Sequence, residues 1–156
     1  MTRALIFIMM VVLMASCLAP NDEVVNQTPQ PLSKTYINPL NGYSQIVSVT
    51  HNGLTTLYVS GQIGTGDHLG AQMRSALMNM QTHLAKAGAT LDDLVKINTY
   101  IVDYEPTDLD TFRQVRREIM GNVDMPASTL VGVDALGLPE WKIEIEGIAV
   151  IPANDE

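Results

Sequence analysis

The chain has a single cysteine in 156 residues, so no internal disulfide forms. Positive charge is also scarce: 9 Lys and Arg stand against 17 Asp and Glu, a formal charge of −8. Nucleic-acid binding needs a basic footprint for the phosphates, so that class is disfavoured. No Cys/His cluster has zinc-ligand spacing and no glycine-rich phosphate loop occurs, so neither a metal nor a nucleotide cofactor is indicated. No run of like charges marks an interaction tail. What remains, at 46% hydrophobic residues, is the composition and length of one globular domain.

The N-terminus carries an address. Arg3 is a short basic region, residues 4–13 an uncharged apolar run, and Met14-Ala15-Ser16 a mostly small segment before Cys17. This is the layout of a secretory signal peptide, and the wider apolar run from Ala4 to Ala19 is short of the roughly 20 residues that span a bilayer. Met14-Ala15-Ser16-Cys17 resembles a bacterial lipobox, with Met14 in place of the usual leucine. The resemblance implies cleavage after residue 16, lipidation of Cys17 and anchoring to a membrane through the lipid. Leu18 rather than Asp follows the cysteine, which in a Gram-negative source implies the periplasmic side of the outer membrane. Plain secretion and an uncleaved apolar segment are the alternatives. Residues 17–34 are polar, proline-bearing and aperiodic, the character of a tether, leaving 35–156 as the domain.

Within the domain the pattern alternates. Residues 43–50 and 55–60 suit strands flanking the turn signal His51-Asn52-Gly53. Met73, Ala76, Leu77, Met80, Leu84 and Ala87 recur at helical spacing before Gly88, and the methionines read as core filler. Residues 95–102 are β-branched and aromatic, a third strand. Thr107-Asp108-Leu109-Asp110 has the form of a capping box opening a second helix, with Leu109, Phe112, Val115, Ile119 and Met120 as its apolar stripe. Residues 128–133, entered through Pro126, and 141–151 complete a β-β-α-β-α-β-β order: an α+β domain with two helices on one mixed sheet.

Few side chains suggest chemistry. Arg116 lies on the margin of the second helix's apolar stripe, placed either to snorkel to solvent or to enter a polar pocket. His51, His68 and His83 have no evident nucleophile beside them and read as surface residues. Ser128-Thr129 lacks a base to activate a hydroxyl.

Read together, several motifs carry a resemblance. They are Ser60-Gly61-Gln62-Ile63, Gln72 with Asn79, Ala87-Gly88-Ala89 followed by Asp92-Asp93 and Val95-Lys96, Pro126-Ala127, and residues 143–149, IEIEGIA. In this order they resemble the reactive intermediate deaminase family, RidA or YjgF-like, also labelled endoribonuclease L-PSP. The resemblance spans about residues 43–152. It implies a chorismate-mutase-like fold, a homotrimer with ligand clefts between subunits, and cofactor-free hydrolysis of 2-imino and 2-enamino acids to 2-keto acids and ammonia.

The family's pocket tyrosine falls on Tyr43, its glycine on Gly61 and its glutamate on Glu144. Its asparagine position holds Arg116, its carboxylate-clamping arginine position holds Ser128, and its cysteine position holds Leu130. A serine offers one uncharged donor where a bidentate guanidinium is needed, so the standard chemistry does not transfer automatically. Arg116 is a candidate replacement clamp from another wall of the cleft, placed either to bind an anionic ligand in a new pose or to pair with Glu144 and close the site. An imine hydrolase, a non-enzymatic binder of a small anionic metabolite and a structural envelope module all remain open.

Overall fold

A computed structural model describes residues 31–121 and 123–153. The signal segment, Cys17 and most of the tether lie outside the described residues. The elements are β1 (Ser33–Leu40), β2 (Tyr43–His51), β3 (Leu54–Ile63), α1 (Leu69–Lys86), a 3₁₀ turn at Leu91–Asp93, β4 (Leu94–Val102), α2 (Asp108–Met120), β5 (Ala127–Val133) and β6 (Ile143–Pro152). The six strands form one sheet in the order β1-β2-β3-β6-β4-β5. Every neighbouring pair is antiparallel except β4 and β5, which α2 connects as a parallel pair.

The α+β reading with two helices on a mixed sheet is what the chain forms, with one strand more than expected. Ser33 and Lys34, read as the end of the tether, begin β1. The segment SKTYINPL shows no apolar alternation because it is the sheet's edge and mostly exposed. An edge also tolerates Pro39, which has no N–H to give the ladder.

The helices cover one face. Met73, Ala76, Leu77, Met80 and Leu84 of α1 are buried, as the stripe predicted, beside Phe112, Val115 and Met120 of α2. Against them pack Ile46, Leu57, Val59, Ile97, Ile101, Ile143, Ile145, Ala149 and Ile151 from the sheet. On β6 alternate residues are buried, so Glu144, Glu146, Ile148 and Val150 lie on the opposite, helix-free face. Asn98 and Tyr100 join them from β4.

Local signals resolve differently at the two helix starts. Thr107 is helical at φ −67° and makes no side-chain cap bond; Asp108 instead accepts from the Glu105 N–H at 3.0 Å. The expected capping box is thus not formed there. One does form at Thr90–Asp93, on the 3₁₀ turn. His68 caps α1, its Nδ1 accepting from the Ala71 N–H at 3.2 Å.

Two motif residues of α1 are structural. Gln72, almost fully buried, donates to the Gly66 and Glu140 carbonyls at 3.0 and 2.9 Å and accepts from the Lys142 N–H at 2.7 Å. Asn79 donates to the Ile63 carbonyl at 2.9 Å. Together they fix the chain on either side of the β3 and β6 ends. Both sit beside a concavity of about 370 Å³ that Trp141 also lines.

Candidate functional site

The residues singled out by sequence gather in two places. The first is a β-bulge. Between Val59 and Gln62 the register of β3 against β6 shifts by one residue, at Ser60-Gly61. The bulge is tied to β2. Ser60 Oγ donates to the Ser44 carbonyl at 2.6 Å, and buried Gln62 donates to Gln45 Oε1 at 2.8 Å. Gln45 in turn donates to the Tyr43 hydroxyl at 3.3 Å, so Tyr43 is coupled to the bulge through two glutamines.

Glu144 lies over that bulge. A Cβ added to Gly61 would stand 1.7 Å from Glu144 Oε1 and 2.5 Å from its Cδ. Only a residue without a side chain leaves room for this carboxyl. Glu144 is half-buried, and no described residue donates a hydrogen bond to it. Burial holds its carboxyl above the ordinary glutamate range, and the nearby charge of Glu146 adds to the effect. A raised, uncommitted carboxyl beside a tight backbone turn is suited to giving or taking a proton.

The second place is the sheet edge beside α2. Ser128 pairs with Ile97 and Leu130 with Thr99, whose side chains are buried under the helices, so both point to the helix-covered face. Leu130 packs against the core there. Arg116 reaches across from α2. Its guanidinium lies 5.2 Å from the centre of the Phe112 ring, and Nη1 donates to Ser128 Oγ over a long 3.4 Å. Arg116 is partly buried and its contact with Ser128 is exposed. Among the described residues Arg74 pairs with Glu118 and Arg113 with Asp110, but no carboxylate pairs with Arg116.

Tyr43, Gly61 and Glu144 therefore form one group, and Arg116, Ser128 and Leu130 another. No hydrogen bond or ion pair among the described residues joins them. They also lie on opposite faces of the sheet, because Glu144 shares its face with Tyr100 while Ser128 shares its face with Ile97. A third group was not singled out by sequence: Asn98, Tyr100 and Glu146. Asn98 Nδ2 and the Tyr100 hydroxyl both donate to Glu146 Oε1, at 2.8 and 3.0 Å. Alternation in VKINTYIV already puts Asn98 and Tyr100 on one face, but only the register of β4 against β6 brings them to Glu146.

The described residues hold no group of three or more side chains arranged to bind a metal. No described helix is long and apolar enough to cross a membrane.

The sequence profile of the family described as Endoribonuclease L-PSP matches residues 33–151. The chain is 33% identical over 121 residues to the 2-iminobutanoate/2-iminopropanoate deaminase of Dermatophagoides farinae, covering 72% of this chain and 88% of that protein. It is 30% identical over 131 residues to the mitochondrial protein mmf1 of Schizosaccharomyces pombe, covering 79% and 76%. Among solved structures, a Mycobacterium tuberculosis member of the YjgF/YER057c/UK114 family is similar with a TM-score of 0.64 at 30% identity, over 76% of this chain and all of that one. With the bulge, the glutamate of the last strand and the two-helix layer all in place, this chain belongs to the RidA/YjgF-like, endoribonuclease L-PSP family.

Proposed function

We propose that the protein is an exported, lipid-anchored homotrimer that binds small 2-imino, 2-enamino or 2-keto acids in clefts between subunits and hydrolyses the imines without a cofactor. The observation that carries this reading is the separation of the two groups. Arg116 with Ser128 and Glu144 with Gly61 occupy opposite faces of one sheet, so a single cleft using both takes them from different chains. The relative named as a 2-iminobutanoate/2-iminopropanoate deaminase supports the substrate class. The lipobox-like segment ending at Cys17 supports the anchor.

In this reading Arg116 holds the substrate carboxylate, the task for which Ser128 has no charge. Phe112 and Ser128 limit where the guanidinium lies. Water adds to the imine carbon, the C–N bond breaks, and ammonia leaves with the keto acid. Glu144 is the group placed to pass the protons.

A second reading is favoured by the long Arg116–Ser128 contact and by the neutral Ser128 at the clamp position: a cleft that binds a small anion without turning it over. The two separate in one experiment. Residues 18–156 are supplied with 2-iminopropanoate generated in situ, and pyruvate formation is compared with the uncatalysed rate. Acceleration that Arg116→Ala abolishes supports the enzyme. No acceleration, with calorimetric binding of small keto acids that Arg116→Ala weakens, supports the binder; neither signal overturns both. Palmitate labelling lost in Cys17→Ala tests the anchor.

A further inference from the structure

Tyr43 and Gln45 stand on one face of β2, two residues apart. Ile46 and Ser48 are buried on the helix side, so theirs is the helix-free face, the face of Glu144. Gln62 is almost fully buried and spends both amide protons: Nε2 donates to the Ser60 carbonyl at 2.9 Å and to Gln45 Oε1 at 2.8 Å. Gly61, between Ser60 and Gln62, is the glycine under the Glu144 carboxyl. Gln45 Nε2 donates in turn to the Tyr43 hydroxyl at 3.3 Å.

The polarity of this chain of bonds is set at its first link. A backbone carbonyl only accepts, so the amide nitrogen of Gln62, not its oxygen, faces Ser60. The same nitrogen faces Gln45, which therefore presents its oxygen. Gln45 has only its nitrogen left for Tyr43, and that nitrogen only donates. The phenolic oxygen is thereby held as an acceptor, and its proton is left to be given elsewhere. Tyr43 is about half exposed, and among the described residues no group accepts from it. A hydroxyl that accepts one hydrogen bond also gives its own proton more strongly, because the bonds of a chain polarise one another.

We propose that Gln62 and Gln45 are positioning residues for Tyr43: a one-way amide relay from the Gly61 bulge that holds the Tyr43 hydroxyl as a donor to the carboxylate or keto oxygen of a ligand. The inference rests on the keto-acid reading of the cleft, but the relay itself is testable without a ligand.

The test reverses the last link. In Gln45→Glu the new carboxylate keeps the shape and still accepts from Gln62, but toward Tyr43 it can only accept, so the phenol turns its proton inward. Two readouts follow in residues 18–156, which contain the whole described fold. Without ligand, the Raman doublet of tyrosine separates a phenol that accepts from one that donates. The chain has five tyrosines, so the Tyr43 part is taken by difference against Tyr43→Phe in the same background. Gln45→Glu is expected to move that part toward the donating signature, and an unchanged doublet would overturn the relay. With pyruvate as the calorimetric probe, Gln45→Glu and Tyr43→Phe are each expected to weaken binding about tenfold or more, and the double variant no further than either. Binding untouched by Tyr43→Phe, or an added loss in the double variant such as repulsion by the new charge alone would give, would overturn the positioning role. Gln45→Met removes the donor without adding a charge. It is expected to weaken binding less than Gln45→Glu, and only where Tyr43 is present; it decides if Gln45→Glu does not fold. A wild type that binds no pyruvate would sink the keto-acid reading of the cleft, and the doublet would still decide the relay.

Discussion

The corner around Glu144 and the corner around Arg116 are built in opposite ways. At the first, the backbone makes the room: a bulge and a glycine open a place for a carboxyl that no described side chain pairs with. At the second, a side chain makes the site: Arg116 lies against Phe112 and touches Ser128, on the edge of the sheet and the other face. Among the described residues, one corner holds an acid that accepts no hydrogen bond and the other a cation that no carboxylate pairs with. Each lacks what the other has, and the sheet between them keeps them apart within one chain.

The strongest way to break the first corner without touching the second is Gly61→Ala. The new methyl would occupy the carboxyl's place, and the end of a flexible side chain can swing away. Activity should fall on the order of a hundredfold, as for a misplaced catalytic group, while thermal stability changes little. In a Glu144→Ala background the same change should leave stability unaltered, because the three atoms nearest the new methyl all belong to the Glu144 side chain. A clash-type loss of stability persisting there would contradict the geometry.

Thr99 stands between the strands of the two corners, paired with Leu130 on one side and Ile145 on the other. Its hydroxyl is fully buried and has no hydrogen-bond partner among the described residues. Thr99→Val should raise stability by about 1 kcal/mol in denaturant unfolding and leave ligand binding as it is. A loss of stability would mean that the hydroxyl has a partner.

The smallest effect expected is a pH-dependent one. Glu144 holds its proton more tightly folded than unfolded, because burial and Glu146 raise its folded-state value. That contribution to stability is full below the unfolded glutamate range and is lost as pH rises through the folded midpoint. Glu144→Gln should therefore melt slightly higher than wild type at neutral pH and lose the advantage in acid. A variant less stable at neutral pH would contradict the assignment.

Much of this was legible in the sequence. The stripes of α1 and α2 named the residues that the core buries, because helical spacing and burial follow from the same geometry. Strand β1 was not legible, since an exposed edge has no apolar alternation to read. The Thr107 capping pattern was legible but misleading, as Asp108 supplied the bond from one position later. For the site, the family resemblance named Gly61, Glu144, Arg116 and Ser128. It did not give the grouping, because that depends on which strands are neighbours. Asn98 and Tyr100 reach Glu146 only through the β4–β6 register.

In the proposed assembly each site takes Glu144 from one chain and Arg116 from another. Glu144→Gln and Arg116→Ala chains, each inactive alone, are unfolded together at equal concentrations, refolded, and assayed with 2-iminopropanoate. In a cyclic assembly with random mixing, about one interface in four pairs an intact Glu144 with an intact Arg116, so about a quarter of wild-type activity should return. Mixed assemblies that form but recover no activity, from a wild type that is active, would contradict the account.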